Sequence, residues 1–311
     1  MATGNQGEDD EEIERWLPPE ALLLKRAKED QIVKGEDYLE RADKKMDGWS
    51  FFGNKYNDAA ELLEKAANSF KLAMSWDEAG DAFVKLAGCH LKLNRKLEVA
   101  NAYAEAGLSY KKYNRKEAVE YLGKAVEIFA DIGDFSMCGR YCKEIAEIYE
   151  QRQDIGIAIQ HYNTAVDYFE RQNVSTFAKQ CKLKIAKLSA EMEEYPKAIK
   201  IYEEIACLSA NNNSFKYGVR EHLLNAGLCQ LCLGDNVAIK NALEKYEDLD
   251  PTFSGTQEYK LLVDLAVSLG EKNAAKLMDA ANEYDSVTQL DALRTTLLLR
   301  VRESIYQSYR T

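Results

Sequence analysis

Small and apolar positions recur along this chain with a spacing that hardly drifts. A small residue, usually alanine, stands at positions 59, 79, 118, 138, 158, 178, 198, 218 and 238, and Val99 beside Ala100 fills the one gap. The steps are 20, 20 and 19 residues, then 20 throughout. Each of these residues opens a similar phrase, such as Ala118-Val119-Glu120-Tyr121-Leu122-Gly123-Lys124-Ala125 or Ala158-Ile159-Gln160-His161-Tyr162-Asn163-Thr164-Ala165. Apolar residues fall at offsets 0, 3 or 4, 7 and 11, which is one face of an α-helix. An aromatic closes many of the units at offset 11: Phe70, Tyr110, Phe129, Tyr149 and Phe169.

Twenty residues hold about 15 helical residues and a short turn, a rod roughly 22 Å long. Rods joined by such short turns run antiparallel. A pair makes a hairpin of about 40 residues, longer than the roughly 34 of a tetratricopeptide repeat. The small residues let neighbouring helices approach closely, and the aromatic fills the space beside them. Breakers punctuate the period at Asn94, Asn114, Gly133-Asp134, Asp154, Asn173, Pro196 and Asn211-Asn212-Asn213. The pattern predicts about ten helices stacked in one layer as a slab curving right or left. An ordinary helical bundle has no reason to hold such a period.

Three segments follow. Residues 1–30 are an acidic, flexible start that includes Trp16-Leu17-Pro18-Pro19 and a helix-like run over 20–29; adjacent prolines suit the first turn of a helix, which needs no amide donors. Residues 31–250 are the solenoid, opening with a helix over 31–46. After Asp250-Pro251 the period breaks, and residues 251–311 read as three helices over 256–268, 271–284 and 290–309, a C-terminal helical bundle that covers the last apolar face of the stack.

Charge narrows the function. The net charge is −11. Residues 1–15 hold six acids and one arginine, so they contribute −5 and leave −6 on the remainder. Such a balance argues against broad nucleic-acid binding, which needs clustered cations. The start reads as neither a secretory signal nor a basic transit peptide. With no apolar run long enough to span a bilayer, seven cysteines are expected to be reduced thiols in the cytoplasm. Cys229 and Cys232 form a CxxC without the second ligand pair that a zinc site needs, and Cys138 and Cys142 are one helical turn apart; both pairs read as core. His90, His161 and His222 stand singly in separate repeats. Gly48 and Gly53 flank a loop but lack the lysine–serine pair of a phosphate loop. No metal, cofactor or catalytic set is expected.

The loop over 47–54 carries Trp49, Phe51 and Phe52 between Gly48 and Gly53. Loops run over surfaces, so three large aromatics there have two readings. They tuck under the first repeat as a cap, or they project into a membrane or a partner. One such loop gives weak attachment, which several copies in an assembly strengthen through effective concentration.

Several stretches resemble one family. Gly48-Trp49-Ser50-Phe51-Phe52-Gly53, Ala66-Ala67-Asn68-Ser69-Phe70-Lys71, Lys143-Glu144-Ile145-Ala146-Glu147-Ile148-Tyr149-Glu150, Ala198-Ile199-Lys200-Ile201-Tyr202-Glu203 and Thr295-Thr296-Leu297-Leu298-Leu299-Arg300-Val301 are similar to the alpha-type soluble NSF attachment proteins, in wording closest to plant members. The phrase Lys245-Tyr246-Glu247, followed by Asp250-Pro251-Thr252-Phe253-Ser254, is also family-like. The resemblance runs from about residue 34 to 303. It implies an all-α fold: a tetratricopeptide-like, right-handed solenoid of helical hairpins, a twisted sheet of antiparallel helices with a C-terminal helical bundle. It implies an adaptor for vesicle fusion and intracellular protein transport, cytoplasmic and peripheral on membranes. Such an adaptor grips a syntaxin-type SNARE four-helix bundle and recruits the NSF ATPase that disassembles it.

The resemblance also assigns residues. Trp49, Phe51 and Phe52 become the membrane loop. The SNARE-facing cations become Arg140, which stands at a family lysine, with Lys111, Lys112, Lys179, Lys184, Lys216 and Arg220; a second family lysine aligns with Gln180, where Lys179, Lys182 and Lys184 are the neighbouring substitutes. Leu297, Leu298, Leu299 and Arg300 become the ATPase-facing helix. Complementary charge steers such an encounter and makes it salt-dependent. The residues over 302–311 lack the acids and the penultimate leucine of the family tail, so weakened stimulation of the ATPase is expected. The acidic start is expected to weaken loop insertion into anionic membranes. The rival reading is a generic helical-repeat scaffold without SNARE function; a further rival, an enzyme, requires a perturbed titrating pair in a closed pocket.

Overall fold

A computed structural model of the chain describes residues 18–48, 54–210 and 216–307. These residues form helices α1 (Pro19–Asp47), α2 (Asn54–Ala73), α3 (Trp76–Lys92), α4 (Lys96–Tyr110), α5 (Arg115–Ile132), α6 (Phe135–Gln151), α7 (Ile155–Arg171), α8 (Ser175–Glu191), α9 (Tyr195–Ala210), α10 (Lys216–Cys232), α11 (Asn236–Leu249), α12 (Gln257–Gly270), α13 (Ala274–Val287) and α14 (Ala292–Gln307). A 3-10 turn, Phe253–Gly255, precedes α12. The fold is all-α helical repeat. By packing, the chain divides into Met1–Val174, which holds α1–α7, and Ser175–Thr311, which holds α8–α14.

The 20-residue period has a local cause. In turn after turn the amide of one residue reaches back five positions: Ser75 to the Phe70 carbonyl, Arg95 to His90, Asp134 to Phe129, Asp154 to Tyr149, Val174 to Phe169, Glu194 to Ser189 and Asn273 to Ser268, all within 2.8–3.0 Å. The residue before each donor turns left-handed, with φ between 54° and 81° at Met74, Asn94, Gly133, Gln153, Asn173, Glu193 and Lys272. This is the Schellman closure of a helix C-terminus. Asn114, Asp134, Asp235, Thr256 and Asn273 then cap the next helix with side-chain oxygens, satisfying amides that have no partner inside the helix. Pro196 is not in a turn but is the second residue of α9, where a missing amide costs nothing.

The first unit is a single layer. Each helix packs on the one before and the one after, and helices two apart meet along their flanks, as Lys85 with Asp43 at 2.9 Å and Lys71 with Glu105 at 2.6 Å. One core runs through it from Ala42 to Ile148. The offset-11 aromatics are its filling. Phe70 lies on Gly35, Tyr110 on Gly80 and Phe169 on Gly139, where an added Cβ would stand 2.7, 2.6 and 2.8 Å from the ring. A glycine is needed because the ring occupies the methyl's place.

The second unit starts the same way and then changes. Helices α8, α9 and α10 stack in order, but α10 also packs against α11, α12 and α14. The layer becomes a bundle around α10, and its core is continuous from Ala186 to Ile305. The break in sequence period near residue 250 therefore marks a change in packing mode inside one core; the division between units falls after Val174. At the other end, α1 begins at Pro19, inside the segment expected to be flexible up to residue 30, with Pro18 as its cap.

Candidate partner-binding face

Trp49, Phe51 and Phe52 lie outside the described residues. The residues that bracket them are held together: Lys55 Nζ donates to the carbonyls of Met46 at 2.9 Å and Gly48 at 3.3 Å, and Lys45 pairs with Asp58 at 3.0 Å.

In the first unit the assigned cations differ in what they can offer. Lys111 follows α4 and donates to Glu144 at 2.6 Å and to Glu147 at 3.0 Å, with its own side chain only 18% exposed. Burial works to lower its pKa, but the two carboxylates outweigh burial and hold the ammonium above its ordinary value. Its charge is spent inside the fold. Arg140 lies on α6 one turn before Glu144, on the same stripe of the helix. It is exposed and forms no ion pair among the described residues. Lys112, in the turn after α4, is likewise exposed.

In the second unit Lys179 is half-buried on α8 and donates to Ser209 Oγ at 2.9 Å; burial lowers its pKa. Lys182 pairs with Glu204 at 2.8 Å, and Lys184, on the same helix, is half-buried. Arg220 on α10 donates to Thr252 Oγ1 at 3.1 Å and stands 3.9 Å from Asp250. Lys216 is the first residue of α10.

The leucines of α14 need correction. Leu297 and Leu298 are 0% and 3% exposed and belong to the core of the second unit. They hold the bundle together and cannot face a partner; Leu299 alone of the three points outward, at 37% exposure. Arg300 is a staple. Its guanidinium donates to the carbonyls of Ala190 and Glu191, both at 2.8 Å, and lies 3.5 Å from Glu193. It thereby adds a charged donor to the carbonyls at the end of α8, of which Ala190 also accepts from the Glu193 amide at 3.2 Å.

One buried polar cluster escaped the sequence reading. Arg294, 7% exposed, donates to Asn225 Oδ1 at 2.9 Å and Glu221 Oε1 at 2.8 Å, tying α14 to α10. Beside it His222 is 7% exposed. Burial, then the charge of Lys179, pulls the imidazole down to about 4. It borders a cavity of about 420 Å³ with Tyr202, Asn225 and Asp291. The sequence singles out His222 only as a lone helical histidine and gives no sign of Arg294 or of its bonds to α10.

The CxxC thiols are suppressed by their environment. Burial pushes Cys232 up to about 12 and Cys229 higher still, so thiolate, the ligand and nucleophile form, is suppressed. Among the described residues no group of three histidines, cysteines and acids is placed to hold a metal, and no helix is long and apolar enough to cross a membrane.

The described surfaces are helix flanks carrying charge in patches. The family described as "Soluble NSF attachment protein, SNAP" matches residues 33–306 of this chain. The chain belongs to that family. It is 53% identical over 276 residues to an alpha-soluble NSF attachment protein of Vitis vinifera, covering 89% of this chain and 96% of that one. It is 37% identical over 275 residues to the Mus musculus protein of the same name, covering 86% and 93%. It is 35% identical over 283 residues to a probable vesicular-fusion protein sec17 homolog of Schizosaccharomyces pombe, covering 89% and 98%. The family is one of adaptors rather than enzymes, and vesicle fusion is its setting.

Proposed function

We propose that this family member grips an assembled, syntaxin-type SNARE four-helix bundle and recruits the NSF ATPase to take it apart, working on the cytoplasmic face of membranes as a peripheral protein. The observation that carries the reading is family membership across nearly the whole chain, residues 33–306. Arg140 supports it at the residue level. It is an exposed cation without an ion pair among the described residues, on a flank of the repeat layer rather than inside it. Lys112 offers a second such charge in the first unit; Lys184, Lys216 and Arg220 are the second unit's contribution. Lys111 and Lys179 serve the fold and orient their neighbours. The ATPase-facing surface is the outer flank of α14 at Leu299, and Trp49, Phe51 and Phe52 insert into the bilayer.

The test is co-sedimentation of the full chain with an assembled SNARE bundle across salt concentrations, with and without the ATPase. Binding weakens with salt, and Arg140→Ala weakens it roughly fivefold. Binding that ignores both salt and Arg140 overturns the assignment of the face. The absence of any ternary complex overturns the adaptor role.

A further inference from the structure

The turn between α3 and α4 reads Leu91-Lys92-Leu93-Asn94-Arg95-Lys96-Leu97. Leu91 and Leu97 are 52% and 49% exposed, and Lys92, Arg95 and Lys96 between them are exposed too. None of these three cations has an ion pair among the described residues. The nearest acid in sequence, Glu98, lines a cavity with His90. Asn94 holds the tip in the left-handed region, with φ 55°. Two leucines and three free cations thus sit on one blunt tip of a chain whose net charge is −11.

Its position adds to this. Because α1, α2 and α3 run antiparallel in succession, the C-termini of α1 and α3 share one edge of the layer. Cys89 Sγ lies 3.6 Å from Met46 Sδ, and Lys85 pairs with Asp43 at 2.9 Å. The turn therefore stands beside the end of α1, from which the Trp49–Phe52 segment departs.

We propose that this turn is a second membrane-contacting element, selective for anionic lipid headgroups. The proposal rests on the reading of Trp49, Phe51 and Phe52 as a membrane loop and extends it along the edge. Apolar side chains on a convex tip enter the acyl boundary, while lysine and arginine beside them stay at the headgroup level. Each cation held near an anionic surface adds roughly fivefold to affinity. The cations supply a charge preference that the three aromatics alone lack.

The test is flotation of the full chain with vesicles of phosphatidylcholine alone or mixed with phosphatidylserine. Arg95→Gln with Lys96→Gln lowers affinity for the mixed vesicles roughly 25-fold and leaves the neutral ones unchanged. Leu91→Ser with Leu97→Ser lowers both. A charge-matched control, Arg115→Gln with Lys116→Gln, sits in the turn at the opposite edge and changes neither. Circular dichroism melts verify that each variant is folded, and the charge reversal Arg95→Glu with Lys96→Glu deepens the loss without touching an apolar contact. The proposal is overturned if the Arg95 and Lys96 variant matches the parent on mixed vesicles, or if the control loses as much. Replacing Trp49, Phe51 and Phe52 with serine separates the two ideas. If that variant floats like the parent, the aromatic-loop reading falls; the phosphatidylserine increment measured in that same background decides the turn on its own.

Discussion

At the scale of the residue, a cation's worth to a partner depends on what already holds it. Lys111 and Arg140 look alike in the sequence, both basic and both at positions the family resemblance assigns to the same partner. Lys111 neutralises two half-buried carboxylates, so removing it takes the ion pair from Glu144 and leaves Glu147 with Lys143 at 3.7 Å. Lys111→Ala is expected to cost about 1–2 kcal/mol of stability, whereas Arg140→Ala stays within about 0.5 kcal/mol of the parent; chemical denaturation of the two variants measures the difference. His222 gives a pH signature. Its folded-state pKa is about 4 against an ordinary 6.5, because burial, Lys179 and Arg294 outweigh Glu221. A group depressed in this way binds its proton more readily when unfolded. The stability it carries is complete above pH 6.5 and is lost as pH falls toward 4. His222→Leu should flatten the melting temperature over that window, recovering roughly 2–3 kcal/mol of the acid loss. If the variant and parent curves run parallel between those limits, the imidazole is not the titrating group.

At the scale of the element, the repeat was legible because each unit is solved by the same two devices, a Schellman turn and an aromatic laid on a small residue. Hydrophobic spacing reports both. It did not report which residues would adopt the left-handed turn, since Met74, Gln153, Glu193 and Lys272 do so where glycine or asparagine is favoured. The surrounding helices impose that conformation. Nor could spacing separate the glycines. Gly139 and Gly123 both lie inside helices, yet a Cβ at Gly139 would stand 2.8 Å from the Phe169 ring, while one at Gly123 would meet nothing within 4 Å. Gly139→Ala should destabilise the first unit by about 1–3 kcal/mol through overpacking. Gly123→Ala should stabilise it by about 0.5–1 kcal/mol, the helix-propensity gain. Thermal melts of the pair check both signs, and a matching sign would show that the ring moves aside.

At the scale of the whole molecule, the sequence revealed less of the site than of the fold. Family resemblance placed the functional surface on basic positions and on a run of leucines, but a surface is decided by tertiary packing. Pairing with Glu144 and Glu147 removes Lys111 from the exposed charge; burial removes Leu297 and Leu298 from the exposed apolar area. The period break near residue 250 falls inside one core, in which α10 packs centrally and which α14 completes. This shapes how variants in α14 should be judged. Leu297 is fully buried, so Leu297→Ala removes core contacts and should cost about 2–5 kcal/mol. Hydrogen exchange would show the loss spread over α10–α14, and failure of the ATPase to respond would follow from partial unfolding. Leu299, at 37% exposure, has little packing to lose. Leu299→Ser should leave exchange protection near the parent's and act, if α14 faces the ATPase, on recruitment alone. Measuring exchange and ATPase recruitment on both variants separates the two causes. Unchanged protection in Leu297→Ala would contradict the packing assigned to α14, and normal recruitment in a folded Leu299→Ser would move the ATPase-facing surface elsewhere.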